Sequence, residues 1–526
     1  MCWQINKISK ISQPSNTSID YDIVVIGCGH AGLEAIITAS KYNLKTAIIT
    51  ASKSTIGNLS CNPSIGGVGK SHLVYELSCL GGVMGIISDR SALVAHILNS
   101  SKGKSAQSLR IQVDTKLYKL LSIRTLLMSK IRIINAVVLQ IRRILTGFEI
   151  KLENSDLIKT KILILTVGTF VRSICHVGEC SLALDKLKNK SSDCVYNFLK
   201  TYGVSFKRLK TGTSPRLKKK SIRWEKIPSE LNMLKHGFYG SLNRATLNMN
   251  CKPTYTNENF HTIIRDNISK SALQAGRMLA KGPRYCISVE NKVLKFHNKL
   301  QKLIVEPESI NSSSVYINGL SISAPIEVQS LALKSINMFS NIEVLKAGYA
   351  IEYDSICCND LKSTLECSKI SNVYIAGQIN GTTGYEEAGI QGFIAGLNAA
   401  CKVSMKREYT FNRRYSYTGI LINDITHNTL SEPYRISTTR SENRTQLRQY
   451  NTALRLIPYT LSIDILARSR QFKQMRWINA IKIFLLKLNN SKIATISPSE
   501  MHLLLNKLNL VSVTMWQKLI ILQWKS

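Results

Sequence analysis

Apolar residues along this chain gather in short unbroken runs between polar turns, the pattern of strands buried on both faces of a sheet. Asp22-Ile23-Val24-Val25-Ile26 is the first such run and Thr46-Ala47-Ile48-Ile49-Thr50 the second; Ala31 to Ser40, between them, has helical composition. Residues 21 to about 125 continue as alternating strands and helices. Further on, Lys161-Ile162-Leu163-Ile164-Leu165-Thr166-Val167-Gly168-Thr169 is a buried strand ending in a glycine turn, and Asn372-Val373-Tyr374-Ile375-Ala376-Gly377-Gln378 repeats the form. Strands so far apart predict one discontinuous, doubly wound α/β sheet interrupted by a long insertion from about 170 to 345. After about 405 the pattern changes, and Leu461 to Ser526 shows helical periodicity without glycine, which predicts a separate helical tail.

The first strand runs into Gly27-Cys28-Gly29-His30-Ala31-Gly32 and then into the helix. That order of strand, glycine turn and helix suits a dinucleotide. Gly27 allows the tight turn, Gly29 lets the backbone approach a pyrophosphate, Gly32 lets helix and strand pack, and the helix N-terminus offers N–H groups to the phosphates. A ribose-binding carboxylate is expected at the end of the second strand, but Thr50 is followed by Ala51-Ser52-Lys53-Ser54. The missing acid turns the expectation from NAD towards a flavin dinucleotide held by other contacts.

A chain of 526 residues has room for two or three domains. With 44% hydrophobic and 20% charged residues it has globular composition, and no apolar run approaches the roughly 20 residues that span a bilayer. The first twenty residues carry Lys7 and Lys10 but no continuous apolar core, so no secretory signal is expected. Thirteen cysteines without a C-x-x-C pair fit reduced thiols in a cytoplasmic compartment, not a disulfide framework or a metal site. An organellar location stays open. The formal charge of +37 suits a polyanionic partner such as nucleic acid, and equally suits lysines accumulated on the surface of an Asn-, Ile- and Lys-rich chain.

Candidate chemistry collects in three places. Ser60-Cys61-Asn62-Pro63-Ser64-Ile65-Gly66-Gly67 follows the second strand, at the edge where open α/β sheets bind ligands. A thiol there is reactive if a helix N-terminus or a cation favours its thiolate, and Lys70 and His72 are the candidates in sequence. Thr382-Thr383-Gly384, ahead of the helix-like Tyr385 to Ala400, supplies a second helix N-terminus under a cofactor. Lys207, Arg208, Lys210 and Arg216 form a basic run with candidate contacts to nucleic acid or folate, set against a plainly solvated loop.

These motifs in this order resemble the MnmG (GidA) family, the flavoprotein half of the enzyme that modifies the wobble uridine of certain tRNAs. The resemblance spans about 21 to 456. It continues through Lys207-Arg208-Leu209-Lys210-Thr211-Gly212-Thr213-Ser214-Pro215-Arg216, Gly282-Pro283-Arg284-Tyr285-Cys286 and Gly348-Tyr349-Ala350-Ile351-Glu352-Tyr353-Asp354. The closing strings are Ala376-Gly377-Gln378-Ile379-Asn380-Gly381-Thr382-Thr383-Gly384-Tyr385-Glu386-Glu387-Ala388 and Glu432-Pro433-Tyr434-Arg435.

The resemblance implies an α/β fold: a discontinuous Rossmann-like FAD-binding domain (21–170 and 346–405), a long α+β insertion carrying the substrate and NAD region (171–345), and a shortened C-terminal helical domain (406–526) after an N-terminal extension (1–20). It implies an enzyme that adds an aminomethyl or carboxymethylaminomethyl group to the 5-position of wobble uridine. FAD is its cofactor, and methylene tetrahydrofolate, NADH and glycine or ammonium are its co-substrates. The implied partners are tRNA, an MnmE-type GTPase and a second copy of the chain. Gly27, Cys28, Gly29, His30, Ala31, Gly32, Val137, Gly377 and Gln378 fall at FAD positions; Gly282, Pro283, Arg284, Tyr285, Cys286 and Phe296 fall at NAD positions. Cys61 and Cys251 fall at the two required cysteines, one of which is expected to add to the 6-position of the uracil ring.

The sequence departs from the family pattern at Gln107, Tyr255, Ile287 and Asn423, after Gly178, and in a shortened C-terminal region with an altered motif near Arg448-Gln449-Tyr450-Asn451. Two other readings remain: a folate- and FAD-dependent tRNA uridine methyltransferase, against which the segment after 410 argues, and a catalytically decayed tRNA-binding protein, against which the two cysteines argue.

Overall fold

The computed structural model describes residues 18–463, apart from residues 104, 184–190, 225–233, 235, 241, 243–251, 273–275, 277, 279, 281, 283–286 and 297–298. Its organising element is a parallel sheet. Tyr21–Ile26 lies between Thr46–Thr50 and Leu157–Leu165; Arg132–Asn135 flanks the second of these and Val373–Ile375 the third, all parallel. Ile23 to Ile26 and every residue of Thr46–Thr50 are buried, which explains their unbroken apolar runs. Val373–Ile375 pairs with Leu163, Ile164 and Leu165 across the whole insertion, so the discontinuous α/β sheet expected from sequence is present. An antiparallel hairpin, Val138–Ile144 and Gly147–Leu152, extends it along the first half of Leu157–Leu165.

The chain between the second strand and residue 125 does not simply alternate. Ser64–Gly66, Ala92–Leu98 and Ser108–Val113 form a small antiparallel sheet of their own. Tyr349–Ile356 also pairs elsewhere than its position in the chain suggests: it lies antiparallel between Ile174–Val177 and Phe206–Thr213, inside the sheet of the insertion. All but the first of its residues are buried, and burial on both faces gives the same apolar run in either sheet. The remainder of the insertion is α+β. A five-stranded sheet carries the helices Glu258–Asp266, Val289–Lys295 and Ile326–Lys334 over a separate apolar core.

Two helices cover the parallel sheet and meet each other closely: His30–Ser40, the first, and Tyr385–Val403, the long one. A Cβ placed at Gly392 would lie 2.0 Å from the Ala31 carbonyl oxygen, and one at Gly396 would lie 2.2 Å from that of Ala35. Both pairs sit one helical turn apart, so the contact is a stripe of small residues along each helix. Beyond residue 405, the helix Tyr417–His427 is tied to the helix Lys70–Cys79 by one carboxylate. Buried Glu76 accepts the N–H groups of Tyr417 (2.9 Å) and Thr418 (2.8 Å) and pairs with Arg455 at 3.1 Å. The helical tail expected from Leu461 onward lies almost wholly outside the described residues.

Alanine ordinarily stabilises a helix relative to glycine by about 1 kcal/mol. Here the sign is expected to reverse: Gly392→Ala or Gly396→Ala should destabilise by ~1–3 kcal/mol, as overpacked cores do. Gly103→Ala, where an added Cβ meets nothing within 4 Å, should be neutral, and thermal unfolding of the three variants checks the comparison.

Candidate active site

The N-terminal ends of both helices open on one cavity of about 530 Å³ at the carboxyl edge of the parallel sheet. The three glycines of the first turn divide their work. Gly27 has φ +99°, and a Cβ there would stand 2.5 Å from the Thr166 carbonyl oxygen; one at Gly32 would stand 2.0 Å from the Gly27 oxygen. Those two positions belong to packing. At Gly29 a Cβ meets nothing within 4 Å, and the backbone is extended, so this residue faces the cavity and keeps its wall low above the helix N-terminus. A dinucleotide phosphate fits that open cradle and the N–H groups beneath it.

Cys28, His30 and Ala31 complete the wall. Burial pushes the Cys28 thiol up to about 12, so it packs as a small apolar group. His30 stacks on Tyr385 with ring centroids 4.6 Å apart. Burial lowers its pKa to about 4; Glu386 opposes that shift and Lys70 adds to it, which leaves a neutral imidazole. Its buried Nε2 has no hydrogen-bond partner among the described residues and is free for a ligand. Thr50, Ala51 and Ser52 line the cavity at the end of the second strand, and the one carboxylate among the described lining residues is Glu386. Val137 does not itself line the cavity, but its neighbours Ala136 and Val138 do. Its N–H donates to the Glu153 carboxylate at 3.0 Å and its carbonyl accepts from the Glu153 N–H at 2.9 Å.

The opposite wall is held by Gln391 on the long helix. Its Oε1 accepts from the Gly377 N–H (3.1 Å) and Asn380 Nδ2 (2.9 Å), while its Nε2 donates to Thr382 Oγ1 (2.9 Å). Gly377, at φ +93°, and Gln378 line the cavity. Beside them lies a buried ion cluster: Lys70 Nζ stands 2.6 Å from Glu386 and 3.1 Å from Glu387. Glu386 also accepts the Gly66 N–H (2.7 Å), and Glu387 that of Ile436 (3.1 Å). Burial alone would raise Glu386 and lower Lys70, but their pairing holds both charged; burial raises Glu387.

Cys61 also lines this cavity. Its N–H (2.6 Å) and that of Asn62 (3.0 Å) both donate to the Tyr385 hydroxyl oxygen. Arg216 Nη2 donates to the carbonyls of Ser60 (2.6 Å) and Cys61 (3.4 Å). Neither cation candidate for the thiol keeps that role. Lys70 is committed to the two glutamates, and His72 is wholly buried against Tyr417, its pKa lowered by burial to about 3, so it stays neutral.

A second cavity of about 440 Å³ adjoins the first, with Thr211, Gly212 and Tyr349 in the walls of both. Lys210, Gly282, Ile287 and Ser288 line it. Phe296 ends the helix Val289–Lys295 and is exposed instead. Cys251, Pro283, Arg284, Tyr285 and Cys286 lie outside the described residues. The basic run does not form one surface. Lys207 donates to the Leu430 carbonyl (3.1 Å), Arg208 pairs with Asp354 (2.9 Å), and Arg216 turns inward onto Glu308 (3.1 Å). At two departures from the family pattern the local structure is satisfied. Gln107 bonds the carbonyls of Ser100 and Lys102, and Asn423 accepts from Arg413, which also pairs with Asp424.

Tyr385, Gln391 and the pair Glu386–Glu387 are the site residues that sequence reasoning passed over. Two adjacent acids and a glutamine at the start of a helix that is mostly apolar were the available signal.

A family model described as glucose inhibited division protein A matches residues 22–407. The chain is 42% identical over 460 residues to the tRNA uridine 5-carboxymethylaminomethyl modification enzyme MnmG of Buchnera aphidicola subsp. Cinara cedri, covering 84% of this chain and 71% of that protein. It is 38% identical over 487 residues to the protein of that name from Nitratiruptor sp., covering 90% and 76%. Among solved structures, Aquifex aeolicus GidA in its form I crystal superposes with a TM-score of 0.82 at 34% identity, over 88% of this chain and 79% of that one.

The glycine geometry separates folding from binding. Gly29→Ala should unfold at the parent temperature yet lose the rise that added FAD gives the parent, whereas Gly32→Ala should lose ~1–3 kcal/mol of stability with or without ligand. Thermal unfolding with and without FAD distinguishes the two.

Proposed function

The chain belongs to the glucose inhibited division protein A family, the MnmG flavoenzymes, and from that membership we propose that it modifies the wobble uridine of tRNA. The product carries an aminomethyl or carboxymethylaminomethyl group at the 5-position. Methylene tetrahydrofolate, NADH and glycine or ammonium are the co-substrates. The observation that carries the reading is the placement of Cys61 in the wall of a cavity whose helix N-termini and glycine turns suit FAD.

Bound FAD supplies the two-electron chemistry that accompanies transfer of the one-carbon unit. The chain's own groups do the rest. Gly29 and the N–H groups of the first helix would hold the pyrophosphate, with Gly27 and Gly32 shaping the turn that presents them, and Gly377 and Gln378 would meet the flavin end. The second cavity, with Gly282 and Lys210 in its wall, takes NADH or the anionic tail of the folate. One thiolate, Cys61 or Cys251, adds to C6 of the uracil; the displaced electron pair makes C5 nucleophilic. When C5 has bonded to the new carbon and lost its proton, the C6–S bond breaks and the thiolate leaves.

The charge of +37 supports tRNA as the partner. An MnmE-type GTPase and a second copy of the chain complete the proposed assembly. No single helix among the described residues is long and apolar enough to cross a membrane. The methyltransferase reading is set aside because the relatives carry the carboxymethylaminomethyl name, and the decayed-protein reading because the cofactor cradle is intact.

Mass spectrometry of tRNA nucleosides from cells lacking the protein tests the proposal. Wobble-uridine modification should disappear, return with the parent gene, and stay at least roughly a hundredfold lower with Cys61→Ser if this thiol attacks. Wobble uridines unchanged by loss of the protein would overturn the reading.

A further inference from the structure

Cys61 sits in a loop gripped from two sides by residues far away in sequence. On one side the Tyr385 hydroxyl oxygen accepts two successive amides, those of Cys61 and Asn62, at 2.6 and 3.0 Å. These bonds occupy the phenol's lone pairs, and its own hydrogen has no acceptor among the described residues. On the other side the Arg216 guanidinium spends its whole fork on structure. Nε pairs with Glu308 (3.1 Å), Nη1 bonds Thr213 Oγ1 (2.9 Å) and the Ser214 carbonyl (3.0 Å), and Nη2 bonds the Ser60 and Cys61 carbonyls. The guanidinium also rests over the Tyr316 ring at 4.9 Å. Thr213 Oγ1 reaches the Cys61 carbonyl as well, at 3.4 Å. A guanidinium so fully engaged has no donor left for a phosphate or a folate carboxylate.

We propose that Tyr385 and Arg216 are positioning residues for Cys61, fixing the thiol from the cofactor cavity and from the insertion at once. The proposal rests on the reading of Cys61 as a reacting thiol. Tyr385 is the first residue of the long helix and stacks on His30, the first residue of the other cavity-facing helix. The loop is thereby referenced to the two helix ends that bracket the cofactor. Arg216 refers it to the strand Arg216–Lys218 and, through Glu308, to the neighbouring strands of the insertion sheet. A shift of either unit moves the thiol relative to the other, so the alignment of uracil, thiol and cofactor depends on both contacts being made.

Charge acts alongside geometry. Arg216, Tyr385 and Tyr349 all lie within electrostatic reach of the Cys61 thiol. Lys70, Arg110, Arg435 and Glu386 line the same cavity, with Lys70 and Arg110 paired to Glu386 and Glu306. Arg216 is the cation whose removal should disfavour the thiolate, and burial keeps the Tyr385 phenol protonated far above its usual range.

The test uses the FAD-loaded full chain and three variants, Tyr385→Phe, Arg216→Lys and Arg216→Gln. Two quantities are read: the pH profile of Cys61 alkylation by iodoacetamide, resolved by peptide mass spectrometry with exposed Cys180 as internal reference, and kcat and KM on tRNA. Tyr385→Phe should lower kcat about tenfold with KM within about twofold, the loss expected when hydrogen bonds that act on geometry are removed. Arg216→Gln should move the Cys61 profile to higher pH while Cys180 keeps its own. Arg216→Lys, which restores charge without the fork, should return the profile towards the parent while kcat stays low. Parent-like alkylation profiles and kcat in all three would overturn the proposal, as would variants whose losses appear only as unfolding or as a rise in KM. Alkylation needs no tRNA: a parent inactive on tRNA whose Cys61 profile still responds to Arg216→Gln would sink the proposed function and leave the positioning intact.

Discussion

Two helix backbones approach so closely at Ala31 and Gly392, and again at Ala35 and Gly396, that a single methyl group would not fit between them. The rest of the site depends on this contact. It sets the first helix against the long one, and their N-terminal ends then open on the same cavity. The first helix brings its N–H groups and the positive pole of its dipole to the cavity, which favours anionic groups there. In the first turn of the long helix, by contrast, the carboxylates of Glu386 and Glu387 meet the backbone N–H groups. The three glycines of the first turn follow the same economy of space. Two are required because backbone passes close by, and the one between them leaves room for a ligand.

The ion cluster behind the cavity serves position more than stability. Burying Lys70 with Glu386 costs desolvation that their pairing offsets, so both stay charged, while burial leaves Glu387 with a raised pKa. What the cluster achieves is registry. Glu386 holds the Gly66 N–H of the small antiparallel sheet, and Glu387 holds Ile436 of the C-terminal segment, so two stretches far apart in the chain are pinned to the start of one helix. Gly384 is confined by the same cluster: a Cβ there would lie 2.1 Å from both Lys70 Nζ and Glu387 Oε2.

Much of the scaffold was legible because its signals are local. A buried strand, a glycine turn and a helix follow one another within residues 21–40, and the Asn372–Gln378 segment repeats the strand and turn, which located the second half of a discontinuous sheet. What was not legible depends on contacts between distant segments. The Tyr385 to Cys61 bond spans 324 positions, and no periodicity announces it. Tyr349–Ile356 carries the apolar run of a doubly covered strand and so fits two sheets equally well. Arg216 and His72 illustrate the limit for charged and titratable groups. In sequence each is a candidate cation beside a thiol or an anion, but burial turns one into a fully bonded brace and the other into a neutral packing group.

On the proposed reading, one cavity holds the dinucleotide with its reactive end beside the Cys61 loop. A crystal structure of the protein grown with FAD tests it most directly. Pyrophosphate density is expected over Gly29 at the first helix N-terminus, and flavin density between Gly377–Gln378 and the loop gripped by Tyr385. Dinucleotide density in the second cavity alone, or a flavin ring turned away from Cys61 with the adenine in its place, would contradict it.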